Sequence, residues 1–412
     1  MNLFQPWPLA QLVHSLRTGR TDIESVYARA RGRVADTEDT VRAWVEFAPA
    51  VPVRSSGSLR GVPIGVKDII DLRGLPTRCG SSLRKNHDPA ETDAAIVQAW
   101  RSAGASPLGK TVTTEFAFFS PGPTDNPAAP GHTPGGSSSG SAAAVAAGQV
   151  PLAIGSQTAG SVIRPASYCG VAAMVLTRER FPTDGVVGLS ESLDSHGFFT
   201  AGVSDLTVAW SALSGERVPP PSPPRILLWQ VNIGDVSDAM AEAVQRSGHM
   251  LAASGAEVSE FSDNELIAEL AEAHPVVMAY EAARERSVEL EHADQLSTAL
   301  RELLVGGSHV SDADYTDARE LIRQGSARIR ELIGHSSIIL GPGALGAAPD
   351  GHSATGDPLL SRPWQALGLP VTAIPGLRDG QGLPLGLQVV AAPGAEAQLL
   401  AGAAWVEEQI RR

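Results

Sequence analysis

Cysteine is nearly absent from this chain of 412 residues: only Cys79 and Cys169 occur, far apart and without metal-ligand spacing. That excludes a disulfide framework and offers no zinc site, so both are expected as small buried thiols. Positive charge is also short. The formal net charge is −13 and the arginines are scattered rather than clustered, which speaks against a nucleic-acid or anionic-membrane partner. No apolar stretch reaches the roughly 18 residues that span a bilayer, and the start, MNLFQPWPLAQLVHSL, lacks the basic segment and long apolar core of a signal peptide. A cytoplasmic protein is therefore expected. No internal repeat is visible.

What is present suits one large core. Hydrophobic residues make up 43 % of the chain, and length alone does not demand several domains, because large α/β enzymes often form one. The reading is a single domain over 1–412, with a helical, more variable insertion at about 237–333. Amphipathic helices are expected at 8–17 and 21–35, the second opened by a Thr21–Glu24 capping box, and breakers fill 48–60. Gly61–Ile70 is a short apolar strand pattern that carries one lysine, Lys67. Helix 92–103 precedes GASPLGKT at 104–111, which matches the phosphate-loop pattern letter for letter. The match lacks its context, since a phosphate loop needs a strand before it and a helix after it, and here the β-branched run Thr111–Thr114 follows. Residues 120–135 form a Pro/Gly-rich loop suited to lying over a site. A Pro-rich connection at Val218–Pro224 leads to strand Arg225–Trp229 and helix Ser237–Ala253. Residues 263–333 read as mainly helical, with charges on solvated faces. Strand patterns at Ile338–Leu340, Val371–Ile374 and Gly382–Val390 precede a last helix, Glu396–Ile410. Alternating strands and helices argue an α/β fold, a mixed and largely buried β-sheet with helices on both faces.

Residues 132–176 are the centre of this pattern. The segment is rich in glycine and in serine or threonine hydroxyls and has almost no charge before Arg164. It differs from a flexible linker because Ala142–Ala147 can pack as a helix and Val150–Ile154 as a strand. Two serine groups are thus tied to regular elements: Ser137-Ser138-Ser139 ahead of the Ala-rich helix, and Ser161 after the turn Gln157–Gly160. A serine hydroxyl needs a base to become a nucleophile. Gly136–Gly140 fits the G-x-S-x-G elbow, with Ser138 as nucleophile, but no strand leads directly into it and none of the ten histidines stands out as its partner. The other base is Lys67. Flanked by Ile64, Val66, Ile69 and Ile70, it reads either as a snorkelling lysine beside Asp68 or as a buried amine whose pKa falls far enough to accept a proton near neutrality.

Gly61–Ile70, GGSSSGS at 135–141, GSQTAGSVIRP at 155–165 with Tyr168-Cys169-Gly170, Ser192-Leu193-Asp194 and Gly382–Val390 together resemble the amidase signature family, over nearly the whole chain. The resemblance implies a cofactor-independent and metal-independent serine amidase acting on a small amide, often as a homodimer. Position by position it assigns Lys67 as base, Ser137 as the bridging serine behind a cis Gly136–Ser137 bond, and Ser161 as nucleophile. Backbone N–H groups of Thr158, Ala159, Gly160 and Ser161 would meet the oxyanion, and Ser156, where the family usually has threonine, would hydrogen-bond the relay. Gly136, Ser156, Gln157 and Arg164 are the candidate substrate contacts.

Two departures bear on the substrate. Many members carry aspartate four residues before the nucleophile and arginine two after it; here Gln157 replaces the acid and Arg164 comes three after Ser161. An arginine without that internal acid can hold a substrate carboxylate through two charge-assisted bonds, unless another Asp or Glu pairs with it. The QT-x-GSVIRPA pattern is most similar to that of the bacterial malonamidases, so a small dicarboxylic monoamide is the expected substrate. The alternatives are a glutaminase-type amidotransferase subunit that works with partner chains and a catalytically silent scaffold. The second departure, Met174–Thr177 in place of a Lys-Pro pair, suggests only altered packing.

Overall fold

The computed structural model describes residues 2–49, 56–334 and 337–412. Among these, eleven strands run β1 (Trp44–Phe47), β2 (Pro63–Lys67), β3 (Ser106–Thr111), β4 (Leu152–Gln157), β5 (Ala172–Val175), β6 (Ser195–Thr200), β7 (Arg225–Leu228), β8 (Glu257–Glu260), β9 (Ser337–Pro342), β10 (Val371–Arg378) and β11 (Pro384–Val390). They form one mixed sheet in the order β1-β3-β2-β4-β6-β5-β10-β11-β9-β7-β8. β2 lies parallel to both β3 and β4, while β4, β6 and β5 pair antiparallel. Every residue of β2, β3, β4, β6 and β11 is buried. Successive side chains of a strand point to opposite faces, so full burial requires cover on both. Helices supply it, and the expected α/β sheet is the observed one.

The Ala-rich helix forms at Ser139–Ala146 and all of its residues are buried. Its small side chains allow a close approach to the sheet. Gly140 shows how close: a Cβ built there would lie 2.3 Å from the Ala43 carbonyl oxygen and 2.4 Å from the Val112 nitrogen. This helix carries the triple-serine turn at its start, and β4 ends at Gln157, just before the second serine loop. The two serine motifs are therefore set at the ends of neighbouring, fully packed elements.

Several local expectations need revision. Helix Ile23–Val41 is capped by Asp22, whose carboxylate accepts from the Ser25 N–H, rather than by Thr21. An Asp side chain at the residue directly before the helix reaches that donor without displacing the chain. The phosphate-loop lookalike is strand, since Ser106–Thr111 is β3 and Lys110 is buried in an ion pair with Asp68 at 3.0 Å. Of the breaker-rich stretch 48–60, residues 50–55 lie outside the described ones. The charged span 263–333 is not wholly solvated. Helix Asn264–Glu285 buries Leu266, Ile267, Leu270, His274, Val277, Met278 and Glu281, a stripe at helical spacing. Within 237–333 the chain also contributes β8 to the sheet edge. No helix among the described residues is long and apolar enough to cross a membrane.

Because backbone atoms rather than flexible side chains face Gly140, Gly140→Ala should lower unfolding stability by about 3 kcal/mol, the upper end of overpacking costs. The midpoint and slope of urea unfolding would show it, and an unchanged midpoint would refute the close approach.

Candidate active site

Lys67 closes β2, and no part of it reaches solvent. Its Nζ lies 2.7 Å from Ser137 Oγ, 3.0 Å from Ser156 Oγ and 3.3 Å from the Ser156 carbonyl oxygen. Among the described residues no carboxylate comes within ion-pairing distance of it. Burial without a counter-charge disfavours the ammonium form and pulls the pKa down to about 7, opposed by the more distant negative charge of Asp194. A neutral amine held by one carbonyl and two hydroxyls can donate two hydrogens and accept one. The snorkelling alternative is ruled out by its complete burial.

Ser137 follows the cis Gly136–Ser137 bond, and Gly135 before it has φ +78°, a left-handed conformation natural to glycine. A side chain at Gly135 would also press on Pro165, 3.0 Å away. Ser161 stands beyond β4, and the Ser138 N–H donates to its carbonyl oxygen at 3.3 Å, which ties the two serine turns together. Ser137, Thr158, Ala159, Gly160, Ser161 and Arg164 line one cavity of about 20 Å³, room for roughly one water molecule. Among the described residues no hydrogen bond joins the Ser137 and Ser161 hydroxyls; they meet as walls of that cavity. Neither hydroxyl has a histidine partner. His196 bonds the Pro182 carbonyl and His274 the Thr158 carbonyl. The elbow serine, Ser138, points away to the Ser156 carbonyl.

The loop after β4 leaves a run of backbone amides unpaired. Among the described residues the amides of Ala159, Gly160 and Ser161 donate to no protein acceptor, whereas those of Val162 and Ile163 are satisfied by Gln157 Oε1 at 2.9 and 3.1 Å. The Thr158 hydroxyl donates to Asp194, whose other oxygen accepts from the Leu189 and Ser190 amides. Asp194 also borders a second cavity of about 120 Å³ shared with Ser156 and His196.

Arg164 lies in the first turn of the helix Ile163–Cys169 and is buried. Nε donates to the Thr355 carbonyl at 2.7 Å and Nη2 to the Gly136 carbonyl at 2.8 Å, while Nη1 has no partner. Among the described residues it forms no ion pair, so the acid-paired alternative is not observed. Burial lowers its pKa to about 10, and Tyr168 and Asp357 oppose that shift. Asp357 itself pairs with Arg362 at 3.8 Å. Gly160 leaves the room this requires, because a Cβ there would fall 2.9 Å from Nη1.

Two expected substrate contacts are placed differently. Gln157 does not line the cavity: its oxygen caps the following helix and its nitrogen donates to Gln365 Oε1 at 3.0 Å, so both ends of the amide serve the protein. Gly136 presents its carbonyl to Arg164 rather than to the cavity. The Met174–Thr177 departure is packing. Met174 pairs with Phe198 and Thr372 across the sheet, and the Thr177 amide donates to Glu396. Sequence reasoning missed Asp194 as a site residue and His274 altogether, although His274 falls on the apolar period of its helix.

Residues 43–400 match the amidase family model. The chain belongs to the amidase signature family. This amidase is 32 % identical to a glutamyl-tRNA(Gln) amidotransferase subunit of Synechococcus sp. (strain RCC307), with 95 % of each chain covered. It is 30 % identical to the 2-amino-5-chloromuconic acid deaminase of Comamonas testosteroni, over 86 % of this chain and 82 % of that one. A crystal structure of an amidase superposes with TM-score 0.88 at 29 % identity, covering 98 % and 99 % of the two chains. The crystal structure of a glutamyl-tRNA(Gln) amidotransferase subunit from Thermotoga maritima gives 0.82 at 25 %, covering 94 % and 92 %. The amidase is thus an enzyme, a hydrolase acting on amide C–N bonds. These relatives establish the family without singling out its malonamidases.

Asp194 raises the Lys67 pKa, so removing its charge should lower it. Asp194→Asn, whose oxygen can accept from the Leu189 and Ser190 amides while its NH2 donates to the Thr158 hydroxyl, should move the acidic limb of the pH–rate profile down by roughly one unit. An unmoved or upward-moved limb would show that Asp194 does not act on Lys67.

Proposed function

We propose that this amidase hydrolyses a small carboxylate-bearing carboxamide, malonamate-like, to acid and ammonia through an acyl-enzyme on Ser161. Neutral Lys67 accepts the Ser137 proton as Ser137 takes one from Ser161, whose oxygen attacks the amide carbon. The amides of Ala159, Gly160 and Ser161 receive the oxyanion, joined by that of Thr158. Ser137 then protonates the departing nitrogen, and water releases the acyl group by the reverse relay. The observation that carries the triad is the 2.7 Å contact between a fully buried Lys67 amine and Ser137 Oγ. The substrate reading rests on Arg164, a buried guanidinium without an acid partner that borders the same cavity as Ser161. Its free Nη1 is available to a carboxylate.

A second reading, a glutamine-hydrolysing subunit that passes ammonia to partner chains, draws on the 32 % identity to the Synechococcus amidotransferase subunit over 95 % of both chains. Ammonia release by the purified chain separates the two. Turnover of malonamate without other chains supports the first, and activity that appears only when the remaining amidotransferase chains are added supports the second.

Ser161→Ala should abolish transfer of the acyl group to hydroxylamine, and persistent transfer would remove Ser161 from the role of nucleophile. With Lys67 required neutral, wild-type acyl transfer should rise with pH through about 7 and level off above it. Arg164→Ala should raise KM at least tenfold for malonamate and little for acetamide, whereas equal losses on both would mark Arg164 as a support for the Gly136 turn.

A further inference from the structure

His274 is completely buried, and its Nε2 lies 2.8 Å from the carbonyl oxygen of Thr158. A carbonyl only accepts, so Nε2 carries the hydrogen and Nδ1 is left as a bare lone pair, which has no partner. The ring is therefore a fixed, neutral, one-directional donor. Its target is not an ordinary loop carbonyl. The Thr158 carbonyl and the Ala159 N–H belong to one peptide unit, and among the described residues only Gly136–Ser137 is cis. In a trans unit the C=O and N–H point in opposite directions. Anchoring the carbonyl toward His274 turns the Ala159 N–H the other way, and that amide has no protein acceptor in a loop that lines the Ser161 cavity.

We propose that His274 is a positioning residue that orients the Thr158–Ala159 peptide so that its N–H faces the oxyanion formed at Ser161. The proposal rests on the reading of Ser161 as nucleophile. A released peptide could rotate and present its carbonyl to the cavity, where it would repel the developing negative charge instead of binding it. The donor is held in place by its own helix. Glu281, seven residues on and on the same face of Asn264–Glu285, accepts from the hydroxyls of Ser190 and Ser192 at 2.6 Å each, and from Tyr315 at 2.8 Å. The Thr158 hydroxyl is held separately by Asp194. One residue of the oxyanion loop is thus gripped twice, by its side chain from within the sheet region and by its backbone from the helical span 237–333. Burial drops the His274 pKa to about 4, opposed first by the hydrogen bond to the Thr158 carbonyl, with Arg362 lowering and Glu281 raising it, so the ring does not titrate where the enzyme's Lys67 does. A positioning role therefore predicts a change in rate with no change in the pH midpoint.

The test compares His274→Gln, which keeps an N–H donor, with His274→Leu, which removes it; His274→Met replaces the latter if it does not fold. Each variant is accepted only with a wild-type-like thermal unfolding transition. The probe is methanesulfonyl fluoride. Ser161 Oγ forms a bond to sulfur, fluoride leaves, the Ser161 proton passes to the Ser137–Lys67 relay, and a sulfonyl oxygen occupies the oxyanion position. Labelling is followed by intact mass and located by peptide mapping. The labelling rate should fall about 10- to 100-fold in His274→Leu, a fraction of what loss of a whole oxyanion donor costs. His274→Gln should recover most of it, and the pH midpoint near 7 should stay in place in both. If the label in the wild type maps to another residue, the Ser161 reading fails. If it maps to Ser161 and His274→Leu labels at the wild-type rate, or shifts the pH midpoint, the His274 proposal alone is overturned.

Discussion

Everything in the site depends on keeping one amine dry without giving it a carboxylate. The molecule contains a direct comparison, because Lys67 and Lys110 are both completely buried on adjacent parallel strands. Lys110 meets Asp68 at 3.0 Å and Thr77 at 2.9 Å, so it has a carboxylate beside it. Lys67 meets only hydroxyls and a carbonyl, so desolvation is left unopposed by any adjacent anion. Strand register separates the two outcomes: Lys110 lies opposite Val66 and not opposite Lys67, so the two lysines face opposite sides of the sheet, and Asp68, in the turn that follows β2, meets Lys110. A carboxylate one residue away in sequence thus serves the neighbouring lysine and not this one.

The serine turns are arranged to preserve that environment. Ser137 and Ser156 hold the amine, Ser138 bonds the Ser156 carbonyl and, through its amide, the Ser161 carbonyl. Arg164 then spans from the Gly136 carbonyl to Thr355, so the guanidinium that borders the cavity also braces the turn that carries Ser137. Glycine appears where these approaches are tightest. At Gly160 a methyl group would displace Arg164 Nη1, and at Gly140 it would strike the backbone of Ala43 and Val112. Gln157 illustrates the same economy of space: its neutral amide caps the helix start, and Arg164 has no carboxylate partner among the described residues.

Much of this is legible in the chain without its fold. Lys67, Ser137 and Ser161 can be named because the segments that carry them resemble the amidase signature; composition alone marks a lysine in an apolar strand and two serine groups beside regular elements, without choosing among the serines. Strands β3, β5 and β6, although buried, escape a search for apolar runs, but β2, β4, β7, β9, β10 and β11 are visible as such runs. The edge strands β1 and β8 are not, since their alternate residues are exposed and their sequences, WVEF and EVSE, resemble many solvated segments. In 263–333 the charged faces are mostly exposed, as expected, with Asp263 and Glu281 buried, but the apolar face opposite them is not evident in the sequence. Abundant Glu and Arg mask a narrow apolar stripe, and the stripe is what places His274 against the loop before Ser161 and Glu281 against Ser190 and Ser192.

The sequence by itself determined which chemistry the protein carries, because the reactive residue types and the glycines around them are properties of single positions and short spacings. Only the tertiary structure decided what those residues face. Whether Lys67 meets an acid or a hydroxyl, whether Gln157 turns to the substrate or to a helix end, and whether Arg164 keeps a free nitrogen depend on contacts between segments tens to hundreds of residues apart. Hydrogen bonds and desolvation act over a few ångströms of space, and the linear order of the chain does not specify those distances.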